Sequence, residues 1–135
     1  MRLLIDTNIV LDVLLKREPH FQDSASVWKL CETDQAEGYV SALSFANLVY
    51  VMRRELSPAQ IRDVLDRMKL IFRFADFPAS ALSRAAELQW PDFGDAVQSA
   101  IGEQINADCI ITRNVRDFKG SKVTAFTPAE ILARM

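Results

Sequence analysis

Short apolar runs alternate with stretches of helical periodicity along the whole chain, and this alternation limits the folds that the chain can adopt. Five runs have the length and composition of buried strands: residues 2–5, 39–41, 70–74, 108–112 and 122–126. Helical patterns separate them. Strands that are joined through helices pair in parallel by right-handed crossovers. The sequence therefore predicts an α/β fold, a three-layer α/β/α sandwich around a central, mainly parallel five-stranded sheet.

The helices carry their own start and stop signals. Ser57 stands before a proline, which predicts an N-cap followed by the first helical position. Thr127 and Glu130 predict a capping box at the start of the closing helix. Pro19 ends the first helix, and Gly38 is interpreted as the end of the second.

Composition restricts the classes of function. The chain has 135 residues, half of them apolar, which suits one domain spanning residues 1–135. Its net charge of −2 argues against binding nucleic acid through a global positive field. No apolar run is long enough for a signal peptide core or a membrane span, so we expect a cytoplasmic protein. His20 is the only histidine, and Cys31 and Cys109 are far apart, which leaves acid–base and metal chemistry to carboxylates.

Acidic residues stand where predicted strands end or predicted helices begin. Asp6 follows the first strand, Asp92 and Asp95 open a helix predicted to reach about residue 106, and Asp117 lies in the loop after the fourth strand. In parallel sheets, ligands bind beyond the carboxyl ends of the strands. We therefore expect the four carboxylates at one edge of the sheet, where oxygen ligands without histidine or thiolate suit Mg²⁺ or Mn²⁺.

Each of these residues also has a purely structural explanation. Asp6 suits the N-cap of the following helix, Asp92 and Asp95 suit the positive end of a helix dipole, and Asp117 suits a turn. These alternatives stay open for each residue taken singly. Their joint occurrence at one predicted edge favours a metal site, because like charges side by side are tolerated when a cation binds between them.

Polar neighbours of the carboxylates are candidates for supporting roles. Thr112 and Asn114 lie in the loop after the fourth strand, where a hydroxyl and an amide can orient a carboxylate, a water or a phosphate. Asn8 has the same possibility, or it hydrogen-bonds within its own turn. Asp12 points either toward the same cleft or to solvent.

Basic residues offer local positive charge near the predicted edge. Arg53, Arg113 and Arg116 are candidates for contacts with a nucleic-acid backbone that approaches the metals. A solvated surface is the alternative explanation for all three.

Four motifs occur together in the order known from one family. They are LLIDTNIVLD (3–12), SALSFAN (41–47), DFGDAVQ (92–98) and IITRNVRDF (110–118), and they span nearly the whole chain. The chain thus resembles the PIN domain, specifically the small bacterial VapC-like toxin ribonucleases of toxin–antitoxin systems. The last motif, at its distance after the Asp-x-x-Asp of the third, is the most specific of the four.

The resemblance implies a metal-dependent endoribonuclease that holds one or two Mg²⁺ or Mn²⁺ ions. By the family pattern, Asp6 and Asp95 are direct metal ligands, and Asp117 and Asp92 complete the catalytic set through the metal or through water. Thr112 and Asn114 support the site. The resemblance also implies an RNA substrate, an antitoxin partner and a homodimer. The apolar helix face between residues 45 and 52 suits either a homodimer surface or the core.

One residue departs from the family pattern. Many PIN nucleases carry a glutamate in the helix after the second strand, where this chain has Asn47. An amide contributes no negative charge, which weakens metal binding. The alternative function is therefore a non-catalytic PIN-fold module that binds RNA or protein. An Asp-dependent phosphatase is a further alternative, but Asn8 stands where such phosphatases normally place a second aspartate.

Overall fold

The computed structural model describes residues 1–135 and contains one sheet of five strands. The strands are β1 (Arg2–Ile5), β2 (Glu37–Ser41), β3 (Arg73–Ala75), β4 (Cys109–Ile111) and β5 (Ala125–Phe126). Their order across the sheet is β3-β2-β1-β4-β5, and every pairing is parallel. The predicted α/β fold with a five-stranded sheet is confirmed, and the sheet is parallel throughout.

Seven α-helices and one short 3₁₀ helix (Val115–Phe118) connect and cover the strands. The α-helices are α1 (Thr7–Leu14), α2 (Phe21–Glu32), α3 (Ala42–Val51), α4 (Pro58–Lys69), α5 (Ala79–Leu88), α6 (Phe93–Gln104) and α7 (Pro128–Arg134). Ser57 caps α4, and Thr127 with Glu130 forms the capping box of α7, as predicted. None of the helices has the length and apolar character that crossing a membrane requires.

Successive residues of the central strands enter different halves of the core, because side chains alternate across a strand. Leu3, Ile5 and Ile111 pack with residues of α1, α2, α3, α4 and α7. Leu4 and Ile110 pack with residues of α5 and α6 on the opposite face. Burial on both faces explains why these strands are continuous apolar runs, and it produces the predicted three layers.

The edges of the sheet differ from the prediction. The expected strand at residues 70–74 begins only at Arg73, because the N–H groups of Leu70, Ile71 and Phe72 donate to carbonyls in the last turn of α4. Gly38 lies inside β2 rather than at the end of a helix. A Cβ on Gly38 would stand 2.5 Å from Cys31 Sγ, so the close approach of α2 to β2 requires glycine there.

The order in which strands are added to the sheet reverses at β1, which pairs with β2 on one side and with β4 on the other. Ile5 is aligned with Ile111, and the N–H of Asp6 donates to the Ile111 carbonyl at 2.9 Å. The carboxyl ends of β1 and β4 therefore meet at one point. Such a switch point is where parallel α/β sheets bind ligands.

Candidate functional site

The four predicted carboxylates come together in one pocket at the carboxyl edge of the sheet. The pocket has a volume of about 330 Å³, and its walls include Asp6, Asp92, Asp95, Asp117, Asn8, Asn47, Asn114 and Gln98. No lysine or arginine lines it, and none of its aspartates has a basic group within 4.0 Å. Its negative charge is therefore uncompensated by the protein.

Asp6 is fixed at the base of the pocket by three donors. Its Oδ1 accepts from the Thr7 N–H at 2.9 Å and from Gln98 Nε2 at 3.2 Å, and its Oδ2 accepts from Thr112 Oγ1 at 2.8 Å. Only 8% of the residue is exposed. Burial raises the pKa of the Asp6 carboxyl above its usual value, although these hydrogen bonds act in the opposite direction. Asp6 is also the N-cap of α1, so the capping explanation and its place in the pocket hold together.

A buried polar network behind Asp6 was not predicted from the sequence. Gln98 is 3% exposed; its Nε2 also donates to Ser44 Oγ at 2.8 Å, and its Oε1 accepts from Ser41 Oγ at 2.7 Å. Thr7 Oγ1 donates to the same Ser44 oxygen at 2.9 Å. The available signal was a glutamine three residues after Asp95, among the mostly small and apolar buried residues of α6.

Asp92 and Asp95 occupy the start of α6. Asp92 is the N-cap, and its Oδ1 accepts from the Asp95 N–H at 3.0 Å. Burial raises the pKa of Asp95 to about 7, and the charges of Asp92, Asp6 and Asp117 add to the shift. The Asp95 side chain receives no hydrogen bond that would offset this.

The loop after β4 brings a carboxylate and an amide to the opposite wall of the pocket. Asp117 lies exposed in the 3₁₀ helix, and its N–H donates to the Asn114 carbonyl at 3.0 Å. The Asn114 N–H donates to Thr112 Oγ1 at 3.1 Å, the hydroxyl that also holds Asp6. Thr112 therefore connects the position of this loop to that of Asp6.

Two asparagine side chains contribute amide groups to the pocket. Asn8 Oδ1 is buried and has no hydrogen-bond donor. Asn47, the residue that departs from the family pattern, is exposed on α3 and lines the same pocket. The pocket thus has the amide of Asn47 at the position where many PIN nucleases have a fifth carboxylate, that of a glutamate.

Asp12 lies neither in the pocket nor in solvent. It is fully buried, its Oδ2 lies 3.2 Å from Arg113 Nε, and it accepts from Ser24 Oγ at 3.1 Å. The contact with Arg113 is an ion pair without hydrogen-bond geometry at Nε. Arg113 follows Thr112 directly, so the ion pair between Asp12 and Arg113 fixes the start of the loop that follows β4.

The three arginines considered for backbone contacts have different surroundings. Arg113 is engaged by Asp12. Arg53 lies beyond the C-terminal end of α3 and stacks on Tyr50, with its guanidinium 4.2 Å from the ring centre, and it does not line the acidic pocket. Arg116 is exposed and lines cavities that adjoin this pocket. Of the three, Arg116 is placed to meet a ligand bound between the aspartates.

The donor groups of the pocket fit a hard divalent cation. They are carboxylate and amide oxygens, they include the buried Asn8 Oδ1 that lacks a partner, and no basic residue competes for them. No three acidic side chains converge closely enough to hold an ion by themselves. A bound cation would therefore draw on amide oxygens or water as well as carboxylates.

Comparisons with known proteins agree on the fold. The sequence model of a family described as PIN domain matches residues 2–116. VapBC2 from Rickettsia felis, solved with a DNA fragment from its promoter, is similar with a TM-score of 0.73 at 19% identity, over 94% of this chain and 98% of that one. A toxin–antitoxin complex from Klebsiella pneumoniae has a TM-score of 0.69 at 21% identity, over 93% and 96% of the two chains.

A third solved structure is the Mycobacterium tuberculosis toxin VapC20, described as cleaving the sarcin–ricin loop. It has a TM-score of 0.63 at 13% identity, over 80% of this chain and 86% of that one. A search of curated proteins finds no match. At these identities the structural likeness extends to the fold alone.

Proposed function

Because this chain belongs to the PIN domain family, we propose that it is a Mg²⁺- or Mn²⁺-dependent endoribonuclease that hydrolyses phosphodiester bonds in RNA. The observation that carries the proposal is the pocket whose walls contain four carboxylates and no basic residue. A hard divalent cation is the counter-ion that such a donor set favours. The RNA-cleaving activity described for VapC20 supports RNA as the substrate class.

Asp6, Asp95 and Asp117 would hold one or two cations, with Asp92, Asn8 and Asn47 as further oxygen donors around them. The cation, when bound, would supply Lewis-acid activation of water and of the scissile phosphate. Thr112 and Gln98 orient Asp6 through their hydrogen bonds. Such support keeps a ligand in place before the ion arrives.

Arg116 would bind a phosphate of the RNA. It is exposed, has no acidic partner within 4.0 Å, and lies next to Asp117 at the rim of the pocket. The acidic pocket repels RNA by itself, so a guanidinium at the rim and a cation within it both favour binding. Asn114 completes this wall and its carbonyl accepts from the Asp117 N–H, while the buried Thr112 supports Asp6 from behind the pocket.

Cleavage of single-stranded RNA by the purified chain tests the proposal. We expect cleavage with Mn²⁺ or Mg²⁺, none with EDTA, and loss of cleavage in Asp95→Asn while the circular dichroism spectrum is retained. Asp76→Asn is the matched control, because Asp76 is exposed and has no ion pair or side-chain hydrogen bond. Cleavage that survives in Asp95→Asn at the wild-type rate would refute the assignment.

The second candidate function is a PIN-fold module that binds RNA or protein without cutting it. Two observations favour it: Asn47 stands in place of a possible carboxylate, and no three acidic side chains converge. Calorimetric titration with Mn²⁺ discriminates the two functions. If the wild type binds Mn²⁺ and Asp6→Asn does not, the result supports the nuclease. If the wild type does not bind Mn²⁺, the result supports the non-catalytic module.

The toxin role is part of the proposal. Solved neighbours are toxin–antitoxin complexes, and we propose an antitoxin partner, a homodimer and action on cytoplasmic RNA by one domain that spans residues 1–135. Exposed Tyr50 and Val51 at the end of α3 are available to a partner surface. Co-purification with the product of an adjacent gene, and light scattering of the complex, test these points.

A further inference from the structure

A second cavity adjoins the acidic pocket. It has a volume of about 180 Å³. Its walls are Trp90, Pro91, Asp92, Asp95, Arg116 and Asp117. The three aspartates are shared with the acidic pocket, and the other three residues are an aromatic ring, an apolar ring and a cation. A ligand at the carboxylates thus has an aromatic surface and a guanidinium directly beside it.

Trp90 is held in a fixed position at this cavity. Its ring packs edge-on against the buried ring of Phe118, with the centres 6.0 Å apart. Gly120 approaches it so closely that a Cβ there would stand 3.2 Å from Nε1. Gln89, the residue before Trp90, is the C-cap of α5 and has a left-handed backbone conformation with a φ of 55°. Trp90 is nevertheless partly exposed, on the cavity side.

Arg116 completes the chemistry of the cavity. Its guanidinium is exposed and free of carboxylates within 4.0 Å, although three aspartates line the same cavity. A fixed aromatic face next to an available guanidinium is the combination that binds a base and its phosphate in single-stranded nucleic acids. Neither group is needed to hold a cation.

We propose that Trp90 and Arg116 form a subsite for one unpaired nucleotide next to the scissile phosphate, with the base on the indole and the phosphate on the guanidinium. The proposal rests on the ribonuclease function. The substrate is then an RNA segment in which the base beside the cleaved bond is unstacked, as in a loop or bulge. A base inside a duplex cannot present its face to Trp90.

The chain offers a direct spectroscopic test, because it has only two tryptophans. Trp28 packs against Phe72, with ring centres 5.0 Å apart, and lies away from the site. Trp28→Phe therefore leaves Trp90 as the only indole. We expect oligouridylate or oligoadenylate, added with Ca²⁺, to quench this fluorescence. Binding of end-labelled RNA is measured in parallel by anisotropy.

A cleavage assay locates the subsite on the substrate. An abasic residue beside the cleaved bond should slow the wild type about 5- to 150-fold, the range expected for one stacked base, and should not slow Trp90→Leu further. Phe93→Leu is the matched control, because Phe93 is exposed on α6 but does not line the cavity. It should keep the full abasic effect.

The outcomes separate the two proposals. Quenching with a Trp90-dependent abasic effect supports the subsite. RNA that is bound and cleaved without quenching, or an abasic effect equal in Trp90→Leu and wild type, overturns the subsite and leaves the ribonuclease intact. RNA that is neither bound nor cleaved overturns both. If Trp90→Leu does not fold, the Trp28→Phe titration decides alone.

Discussion

The substitution Asp95→Asn should make the metal-free protein more stable at neutral and alkaline pH. Asp95 is the pocket carboxylate whose pKa is raised to about 7. A carboxyl with a higher pKa in the folded chain than in the unfolded chain binds its proton more tightly when folded. Stability therefore falls as the pH rises from about 4 to about 7, and the full penalty is present above pH 7.

The size of the effect follows from the shift. A change in the Asp95 pKa from the usual 3.8 to about 7 corresponds to a loss of roughly 4 kcal/mol in the free energy of unfolding. Asp95 is partly exposed, so solvent screening reduces this to roughly 2 kcal/mol. The asparagine also removes a negative charge that favours the first turn of α6, and this loss lowers the gain in stability by about 0.5 kcal/mol. We expect Asp95→Asn to gain about 1.5 kcal/mol at pH 8 and nothing at pH 4.

Urea denaturation in EDTA, followed by circular dichroism at several pH values between 4 and 8, measures this difference. Asp76→Asn, exposed and unpaired, should show no pH-dependent gain. Saturating Mn²⁺ should reverse the order, because an ion that binds only the folded wild type adds to its stability. A variant that is destabilised equally at all pH values would refute the account of the pocket as an uncompensated cluster of charge.

Three further substitutions test the structure around the site by urea or thermal unfolding. Gln98→Leu should cost about 2–3 kcal/mol, because it leaves several buried polar groups without partners; a neutral result would show that the network is dispensable. Arg113→Met should cost about 3–5 kcal/mol by leaving the Asp12 carboxylate unpaired, and adding Asp12→Asn should restore most of the loss. Gly38→Ala should cost about 1–3 kcal/mol through overpacking. Adding Cys31→Ala should relieve only part of this cost, since it removes the sulfur 2.5 Å from the new Cβ but leaves Phe72 Cδ1 at 2.9 Å.

The central strands could be predicted from local pattern, and the placing of the carboxylates at one edge could be predicted from the topology that this pattern implies. Buried parallel strands such as β1 and β4 read as continuous apolar runs. Edge strands have weaker constraints: β3 and β5 are shorter than predicted, and the apolar residues after α4 serve to end that helix. The position of Asp6 at the carboxyl end of a strand follows from topology alone.

Contacts between distant parts of the chain could not be predicted. Asp12 was expected in the cleft or in solvent, and its burial depends on Arg113, which is about a hundred residues away in sequence. The Gln98 network joins α6 to α3 and to the N-cap of α1 in the same way. A single sequence shows that a polar residue lies on a buried face, but it does not show which partner satisfies it.

Asp6 and Asp95 are prepared for a cation in different ways. Asp6 receives three hydrogen bonds and is held in place whether or not an ion is present. Asp95 receives none on its side chain, and its pKa near 7 reflects burial beside three other carboxyls. Asp6 therefore supplies the fixed geometry, and binding a cation favours the charged form of Asp95. It follows that metal binding near pH 7 should release a proton from Asp95, and that substituting Thr112 or Gln98 should weaken metal binding by loosening Asp6.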